Sequence, residues 1–229
     1  MKIMTFNILH CMDYLTKKID FEKFAEEITS SGADITGLNE VRGQGLLAGY
    51  TAQAKKLGKL TKMNHYFGKA INVAGVAPYG NGLLSKYPIV SVETVKIPDP
   101  EKKTGDSMYE SRAIIKAVID AGKKYTVLVT HMGLNLDERE NAVKTLLNLA
   151  PEKNCIIMGD FNCTPESEEL KPLFEKFSCS DTEDFTFPSD KPAIKIDYIF
   201  TSKDIEVINK GTSTNIVSDH FAQWIEIKE

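Results

Sequence analysis

The chain has 229 residues, of which 42% are hydrophobic and 26% are charged, and its formal net charge is −4. This length can bury a sizeable core, and the composition is that of a globular protein rather than a disordered one. The net charge provides no overall positive field that would attract DNA or RNA, and no segment approaches the roughly 18 apolar residues that span a membrane.

Short apolar and β-branched runs recur along the chain. Most have about four to eight residues with turn residues between them, which is typical of strands. The predicted strands cover residues 2–6, 34–38, 89–97, 113–119, 125–130, 155–158, 194–200, 205–208 and 221–227.

Four segments have apolar residues at helical spacing: 20–31, 45–57, 137–150 and 164–177. Glycines follow the first two segments, and glycine is common just beyond the end of a helix. Pro172 lies inside the fourth segment and is expected to break or kink that helix.

The order of these elements predicts the fold class. Strands outnumber helices, and the strands at 89–97, 113–119 and 125–130 follow one another without a helix between them. This order favours an α/β sandwich, in which two mixed β-sheets pack face to face with helices outside, over a doubly wound parallel sheet. Because no repeat or flexible linker interrupts the chain, residues 1–229 are expected to form a single domain.

The cysteines and the N-terminus bear on location. The four cysteines have neither zinc-like nor redox spacing, since no C-x-x-C motif is present. The first residues are too polar for a signal peptide. The sequence therefore favours a reducing, cytoplasmic location.

Glu40 and Asn7 follow predicted strands, at positions where loops commonly carry function. Mg²⁺ prefers oxygen ligands and uses only one or two protein carboxylates. Glu40 is therefore a candidate metal ligand, and the Asn7 amide could support the metal or a phosphate. An exposed carboxylate and a turn-forming Asn are the structural alternatives.

Asp160 and Asn162 form a second candidate pair, in a Gly-Asp-x-Asn turn after the apolar run at 155–158. Residues two apart after a strand can point in the same direction. The carboxylate could then accept a proton from water while the amide fixes a phosphoryl oxygen. An ordinary turn at a strand end is the alternative.

Asp197 and His220 form the third pair. Asp197 lies within an apolar strand, where a lone buried carboxylate is costly. A nearby His220 imidazolium would offset that cost, and the carboxylate would raise the pKa of the histidine. His220 could then stabilise the phosphate or assist proton transfer, and Asp219 could act on the attacking water or on a metal.

Three further side chains complete the candidate set. His131 is a second imidazole at a strand end. Arg112 could bind a phosphate through two hydrogen bonds. Asn81 could line the site or form a turn. His10 is interpreted as structural.

The order of these motifs resembles the endonuclease/exonuclease/phosphatase superfamily, from the first strand to the last. The motifs that carry the resemblance are Thr5-Phe6-Asn7, Leu38-Asn39-Glu40, Ser111-Arg112, Thr130-His131, Gly159-Asp160-Phe161-Asn162, Ile196-Asp197-Tyr198-Ile199-Phe200 and Ser218-Asp219-His220. The resemblance implies a four-layered α/β sandwich and Mg²⁺- or Mn²⁺-dependent hydrolysis of phosphate esters.

The resemblance also implies roles for the candidate residues. The metal ligands would be Glu40, Asn7 and Asp219. The catalytic residues would be Asp160, His220, His131, Asp197 and Asp219, with Asp160 acting on water and Asp197 orienting His220. The phosphate contacts would be Asn162, Arg112 and Asn81.

Three functions remain open at this point. The leading one is a phosphodiesterase or phosphatase, and the Thr130-His131 motif is similar to the DNase I and sphingomyelinase-like branches. A DNA or RNA nuclease is the alternative, although the Tyr-x-Pro-Asn stretch of exonuclease III-like repair enzymes is absent. A catalytically inactive binding module is the third. A phosphoester partner, no stable membrane insertion and a monomeric state are expected.

Overall fold

Two six-stranded sheets form the centre of the protein. A computed structural model describes residues 1–179 and 183–228. The strands of the first sheet are β1 (Lys2–Asn7), β2 (Ile35–Arg42), β3 (Asn64–Val73), β4 (Ala77–Ser85), β11 (Val207–Thr212) and β12 (Gln223–Ile227). Those of the second sheet are β5 (Ile89–Lys96), β6 (Ala113–Asp120), β7 (Lys124–His131), β8 (Cys155–Asp160), β9 (Ser178–Cys179) and β10 (Asp197–Thr201).

Each sheet is mixed and has one parallel pair of strands near its centre. The first sheet has the order β11-β12-β1-β2-β4-β3, and the second has the order β5-β6-β7-β8-β10-β9. The parallel pairs are β1 with β2 and β7 with β8. Helix α1 (Phe21–Ser30) joins the first pair and helix α3 (Leu136–Leu149) joins the second. Parallel strands need such a crossover connection. Because the two strands of each pair run in the same direction, their carboxyl ends lie at the same edge of the sheet.

Three apolar layers hold the elements together. Ile3 and Leu83 of the first sheet pack with Ile115 and Met158 of the second, which buries the inner faces of both sheets. A second layer lies between the first sheet and the helices α1 and α2 (Gln53–Thr61). A third lies between the second sheet and the helices α3 and α4 (Lys171–Lys176). The result is helix, sheet, sheet and helix, which confirms the predicted four-layered α/β sandwich.

The helix predicted at 45–57 was wrong in its position. Gly49 has a φ of 81°, outside the helical region, and Leu46 and Leu47 are exposed instead of packing on a core. Helix α2 begins after Ala52 and continues through Gly58 to Thr61. Gly58 therefore lies inside the helix, where its lack of a side chain lets the helix lie against His65.

Strands β3 and β4 were missed, since nothing was predicted for residues 64–85. Strand β3 is an edge strand with many exposed positions, and β4 contains the Gly80-Asn81-Gly82 run that resembles a turn. Gly80 is needed inside a strand because a side chain there would collide with the backbone carbonyl of Gly68.

The remaining differences concern element ends. The segment at 164–177 becomes helical only from Glu168, first as a short 3-10 helix (Glu168–Leu170) and then as α4, and Pro172 lies in the first turn of α4, where no backbone N–H is required. Strands β10, β11 and β12 begin two or three residues later than predicted. The four cysteines are free thiols. Within the described ranges, no helix has both the length and the apolar character to cross a membrane.

Candidate active site

The strand register brings the predicted residues together at one edge of the two sheets. Asn7 at the end of β1 pairs with Asn39 of β2. In the second sheet His131 pairs with Asp160, and Asp160 in turn pairs with Asp197. These five residues, separated in the chain by up to 190 positions between Asn7 and Asp197, thus lie at the same edge of the two sheets.

Glu40 lies on an irregularity of β2 rather than beyond its end. The strand continues to Arg42, and its pairing with β4 shifts register between Leu38 and Val41. Glu40 has a φ of 60°, a left-handed conformation that is unfavourable for a non-glycine residue. Bulges of this kind redirect a side chain next to functional sites, and here the bulge places Glu40 in the cavity described below.

Gly159 allows the second sheet to present Asp160. It has a φ of 148°, and any side chain there would collide with the carbonyl oxygen of Thr130 on the neighbouring strand. The glycine of the Gly-Asp-x-Asn turn therefore permits β7 and β8 to approach closely where His131 and Asp160 meet.

A cavity of about 430 Å³ opens at this edge. Seven of the ten predicted site residues line it: Glu40, Arg112, His131, Asp160, Asn162, Asp219 and His220. Asn7 and Asp197 are buried directly behind this lining, in hydrogen-bond contact with Glu40, Asp160 and His220. The remaining lining residues are Tyr79, Glu110, Leu134, Phe187, Ile194 and Ile196.

Glu40 is ionised in this setting. Burial raises its pKa, but the neighbouring His10 side chain, the hydrogen bond from Asn7 and the positive charge of His220 outweigh burial, so the pKa falls to about 2. Its Oε1 accepts a hydrogen bond from Asn7 Nδ2 at 3.2 Å. Glu40 therefore presents a permanent negative charge to the cavity.

Asp160 lies at the centre of the site, in contact with three of the other candidate residues. Its Oδ2 accepts a hydrogen bond from Asn7 Nδ2 at 3.0 Å and lies 3.5 Å from His131 Nε2 and 3.7 Å from His220 Nε2. Burial is the main cause that raises the pKa of Asp160, to about 7. A carboxylate with a pKa near neutrality is suited to accept a proton from water.

His220 is held as a cation between two buried carboxylates. Its Nδ1 donates to Asp197 Oδ2 at 2.8 Å. Burial lowers the pKa of His220, but the charges of Asp197 and Asp160 raise it to about 10. The other oxygen of Asp197 is buried without a hydrogen-bond partner, so the carboxylate depends on this imidazolium for compensation.

His131 is neutral, in contrast to His220. Burial and the neighbouring Arg112 guanidinium hold its pKa well below the usual range. Arg112 Nη1 lies 3.1 Å from His131 Nδ1 and can only donate, so Nδ1 accepts and Nε2 carries the proton. The proton of His131 therefore points toward Asp160.

Arg112, Asn162 and Asp219 lie around this centre. Arg112 forms an ion pair with Glu110 at 2.9 Å, and its Nε is buried without a hydrogen-bond partner. The Asn162 backbone N–H donates to Asp160 Oδ1 at 2.9 Å, which requires the left-handed φ of 53° at Asn162. Burial raises the pKa of Asp219, with a further contribution from the nearby Glu40.

Asn81 lies behind the site and does not line the cavity. Its Oδ1 accepts from Asn39 Nδ2 at 2.9 Å, and its Nδ2 donates to the carbonyl of Ala113 at 2.8 Å. This geometry offers no direct phosphate contact and instead supports Asn39. Asn39 links the two sheets, since it donates to the carbonyl of Thr130 at 2.7 Å and accepts from the Asp160 N–H at 2.9 Å.

Two residues next to Glu40 were missed by the sequence analysis. His10 Nδ1 lies 3.8 Å from Glu40 Oε2, on a left-handed turn that Gln53 Nε2 fixes through the carbonyl of His10 at 2.7 Å. Tyr79 lines the cavity, and burial and the adjacent Glu40 raise its pKa. His10 could have been included in the predicted site because it lies only three residues after Asn7. Tyr79 could not, because it lies on a strand that was not predicted.

The charges of the cavity suit a divalent cation. Four carboxylates line it (Glu40, Glu110, Asp160 and Asp219), against the cations Arg112 and His220. An anionic phosphate would be repelled unless a metal ion offset these charges, and oxygen donors are those that Mg²⁺ and Mn²⁺ prefer. Ligand atoms of Asp160, Asp197 and His220 also lie within 4.8 Å of one another. A protonated His220 has no free nitrogen lone pair, so Glu40 is the better anchor for a metal.

Comparisons with known proteins agree with this geometry. The model of the Endonuclease/Exonuclease/phosphatase family matches residues 4–220. A comparison with curated proteins gave no match.

Several solved structures share the fold. An endonuclease/exonuclease/phosphatase from Beutenbergia cavernae has a TM-score of 0.81 at 18% identity, over 99% of this chain and 71% of that one. A family protein from Leptotrichia buccalis has a TM-score of 0.75 at 20% identity, over 100% of both chains. A mannosyl-6-phosphatase from Bacteroides thetaiotaomicron has a TM-score of 0.73 at 15% identity, over 100% of both chains.

At these identities the structural likenesses show the fold, while the family model covers nearly the whole chain and every strand end that forms the cavity. The resemblance found in the sequence is thereby confirmed: the chain belongs to the endonuclease/exonuclease/phosphatase family and is a phosphoester hydrolase.

Proposed function

We propose that this protein is a Mg²⁺- or Mn²⁺-dependent phosphodiesterase or phosphatase that acts by in-line attack of water on the phosphorus. The observation that carries this proposal is the position of Asp160, with Asn7, His131 and His220 all within 3.7 Å of one carboxylate oxygen that faces the cavity. A relative of the same fold, from Bacteroides thetaiotaomicron, is a mannosyl-6-phosphatase. The cytoplasmic location and the monomeric state stay predictions.

The metal would be held by Glu40, with Asp219 as a second carboxylate nearby. When bound, the cation would neutralise phosphoryl oxygens and the leaving oxygen. Asn7 donates hydrogen bonds to both Glu40 and Asp160, so its amide holds these two carboxylates next to each other.

The protein's own residues would supply the proton transfer and the remaining charge stabilisation. Asp160, with its pKa near neutrality, would accept a proton from the attacking water. The His220 imidazolium, held by Asp197, would stabilise the charge that develops on the phosphoryl oxygens. His131 Nε2, Asn162 and Arg112 would add neutral and cationic hydrogen-bond donors.

Glu40→Gln and Asp160→Asn test the proposal directly. With Mg²⁺ or Mn²⁺, the unmodified protein is expected to hydrolyse p-nitrophenyl phosphate or bis(p-nitrophenyl) phosphate. Removing one such group typically lowers kcat by about 100-fold or more, so each variant should lose nearly all turnover.

Glu93→Gln is the matched control, because this glutamate is exposed on β5 and its loss should leave kcat unchanged. Turnover that persists in EDTA, or that survives Asp160→Asn, would contradict the proposal.

A further inference from the structure

Apolar as well as charged residues line the active-site cavity. Leu134, Phe187, Ile194 and Ile196 line it together with the charged residues described above. Leu134 is 48% exposed and Ile194 is 38% exposed, although both are large hydrophobic residues. Apolar surface left open to water beside a reacting centre is available to an apolar part of the substrate.

Backbone hydrogen bonds fix this apolar surface relative to the reacting groups. Phe187 and Ile194 exchange two hydrogen bonds, from each N–H to the other's carbonyl, at 3.1 and 3.0 Å. Such an exchange places the two side chains next to each other on one face. The Phe187 ring in turn lies 4.8 Å from the His220 ring, measured between centroids.

The other half of the apolar surface is tied to Asp160. The Phe161 N–H donates to the carbonyl of Ile196 at 2.8 Å, directly after Asp160 in the chain. Leu134 is fixed as well, since its carbonyl accepts from Arg139 Nη1 at 2.6 Å. The apolar surface is therefore a built part of the site rather than the side of a loose loop.

The charges of the cavity disfavour a long polyanion. No lysine is among its described lining residues, and its one arginine is already paired with Glu110. Nucleic-acid binding draws most of its non-specific affinity from several Lys and Arg contacts to successive phosphates. The cavity can bind one phosphate, but the lining residues that the structure describes offer no further cation for the adjacent phosphates of a nucleic-acid strand.

We infer that the substrate is a phosphate ester whose alcohol portion carries an uncharged, apolar group, and that Leu134, Phe187 and Ile194 bind this group. The inference rests on the proposed function, because it assigns the substrate class of the same site. The apolar group can be a flexible alkyl chain or a flat ring, since both present uncharged, apolar atoms to this surface.

A series of alkyl p-nitrophenyl phosphates, from methyl to octyl, tests the inference with the full-length protein and Mg²⁺. The leaving group is constant, so a change in kcat/KM reports binding of the alkyl group. We expect kcat/KM to rise about tenfold or more along the series. A phenylethyl ester distinguishes a ring from a chain, because the phenylethyl and octyl groups are similar in size. The ester with the higher kcat/KM shows which of the two groups the surface prefers.

Leu134→Ser should remove most of this increase, about tenfold on the octyl ester, while changing the methyl ester less than about threefold. Leu136→Ser is the matched control, since Leu136 is 51% exposed two residues away but does not line the cavity. A flat series in the unmodified protein, equal losses on all esters, or faster hydrolysis of an oligonucleotide would overturn the inference while leaving the proposed function intact. Absence of metal-dependent turnover on every one of these diesters would overturn the inference, and absence on p-nitrophenyl phosphate as well would overturn the proposed function too.

Discussion

At the scale of single residues, the site uses two histidines in opposite charge states. His220 lies between Asp197 and Asp160, and the carboxylates raise its pKa to about 10. His131 lies beside Arg112, and burial and this guanidinium lower its pKa. The same side chain thus supplies a cation at one position and a neutral donor with a defined tautomer at the other.

The pH dependence of Asp197→Asn is the prediction at this scale. In the unmodified protein kcat/KM should rise as Asp160 loses its proton near pH 7, and it should then remain high, with His220 protonated, until the pH approaches about 10. Replacing Asp197 removes the largest cause that raises this pKa, so the alkaline limb of the kcat/KM profile should move toward neutral pH. Profiles measured from pH 6 to 10.5 decide this, with thermal unfolding as a check that the variant is folded. An unchanged alkaline limb would contradict the assignment of His220.

At the scale of secondary-structure elements, irregular strand geometry places the side chains of the site. Glu40 reaches the cavity because β2 contains a bulge, and Asp160 faces it because Gly159 lets β8 approach β7. These are local departures from regular strand geometry, and both lie beside the candidate active-site cavity. Departures of this kind lower stability and persist where the surrounding structure holds them.

Gly159→Ala tests the close approach of β7 and β8. The new side chain would collide with the Thr130 carbonyl in addition to adopting a strained conformation, so the free energy of unfolding should fall by roughly 2–4 kcal/mol. Gly122→Ala separates the two effects, because Gly122 also has a positive φ, of 83°, but nothing lies within 4 Å of the added carbon. The control should lose only about 1–2 kcal/mol in urea unfolding. Equal losses would mean that conformation alone, and not the contact with Thr130, makes Gly159 necessary.

At the scale of the whole molecule, the site is shared by the two sheets. The first sheet contributes Asn7 and Glu40, and the second contributes His131 and Asp160. Asn39 joins them through hydrogen bonds to Thr130 and Asp160. The proposed metal ligands Glu40 and Asp219 are far apart in the chain and come together only in the folded protein, so metal binding should stabilise the folded state.

Stabilisation by Mg²⁺ is the prediction at this scale. A ligand that binds only the folded protein adds about 2.7 kcal/mol to the free energy of unfolding at 100 times its Kd. Urea unfolding with Mg²⁺ and with EDTA should therefore differ for the unmodified protein and for Glu93→Gln, but not for Glu40→Gln. Stabilisation that survives Glu40→Gln would place the metal elsewhere.

The class of fold and most of the residues that meet at the candidate site could be predicted from the local residue pattern alone. Apolar runs with turn residues after them identified the strands that end in Asn7, His131 and Asp160, because alternation and burial are written in the local residue pattern. The cost of a lone buried carboxylate at Asp197 likewise indicated its partner His220, and the structure places them 2.8 Å apart. The roles of these residues stay predictions until the variants above are measured.

Which residues share the cavity could be known only from the folded chain. Asn81 lies behind the site, although it was predicted to contact the phosphate. His10 lies beside Glu40, although it was interpreted as structural. The bulge at Glu40, strands β3 and β4 and the apolar surface of Leu134, Phe187 and Ile194 were also not foreseen. The physical reason is the same in each case: sheet register and side-chain contacts join residues far apart in the chain, and local propensity carries no information about those distances.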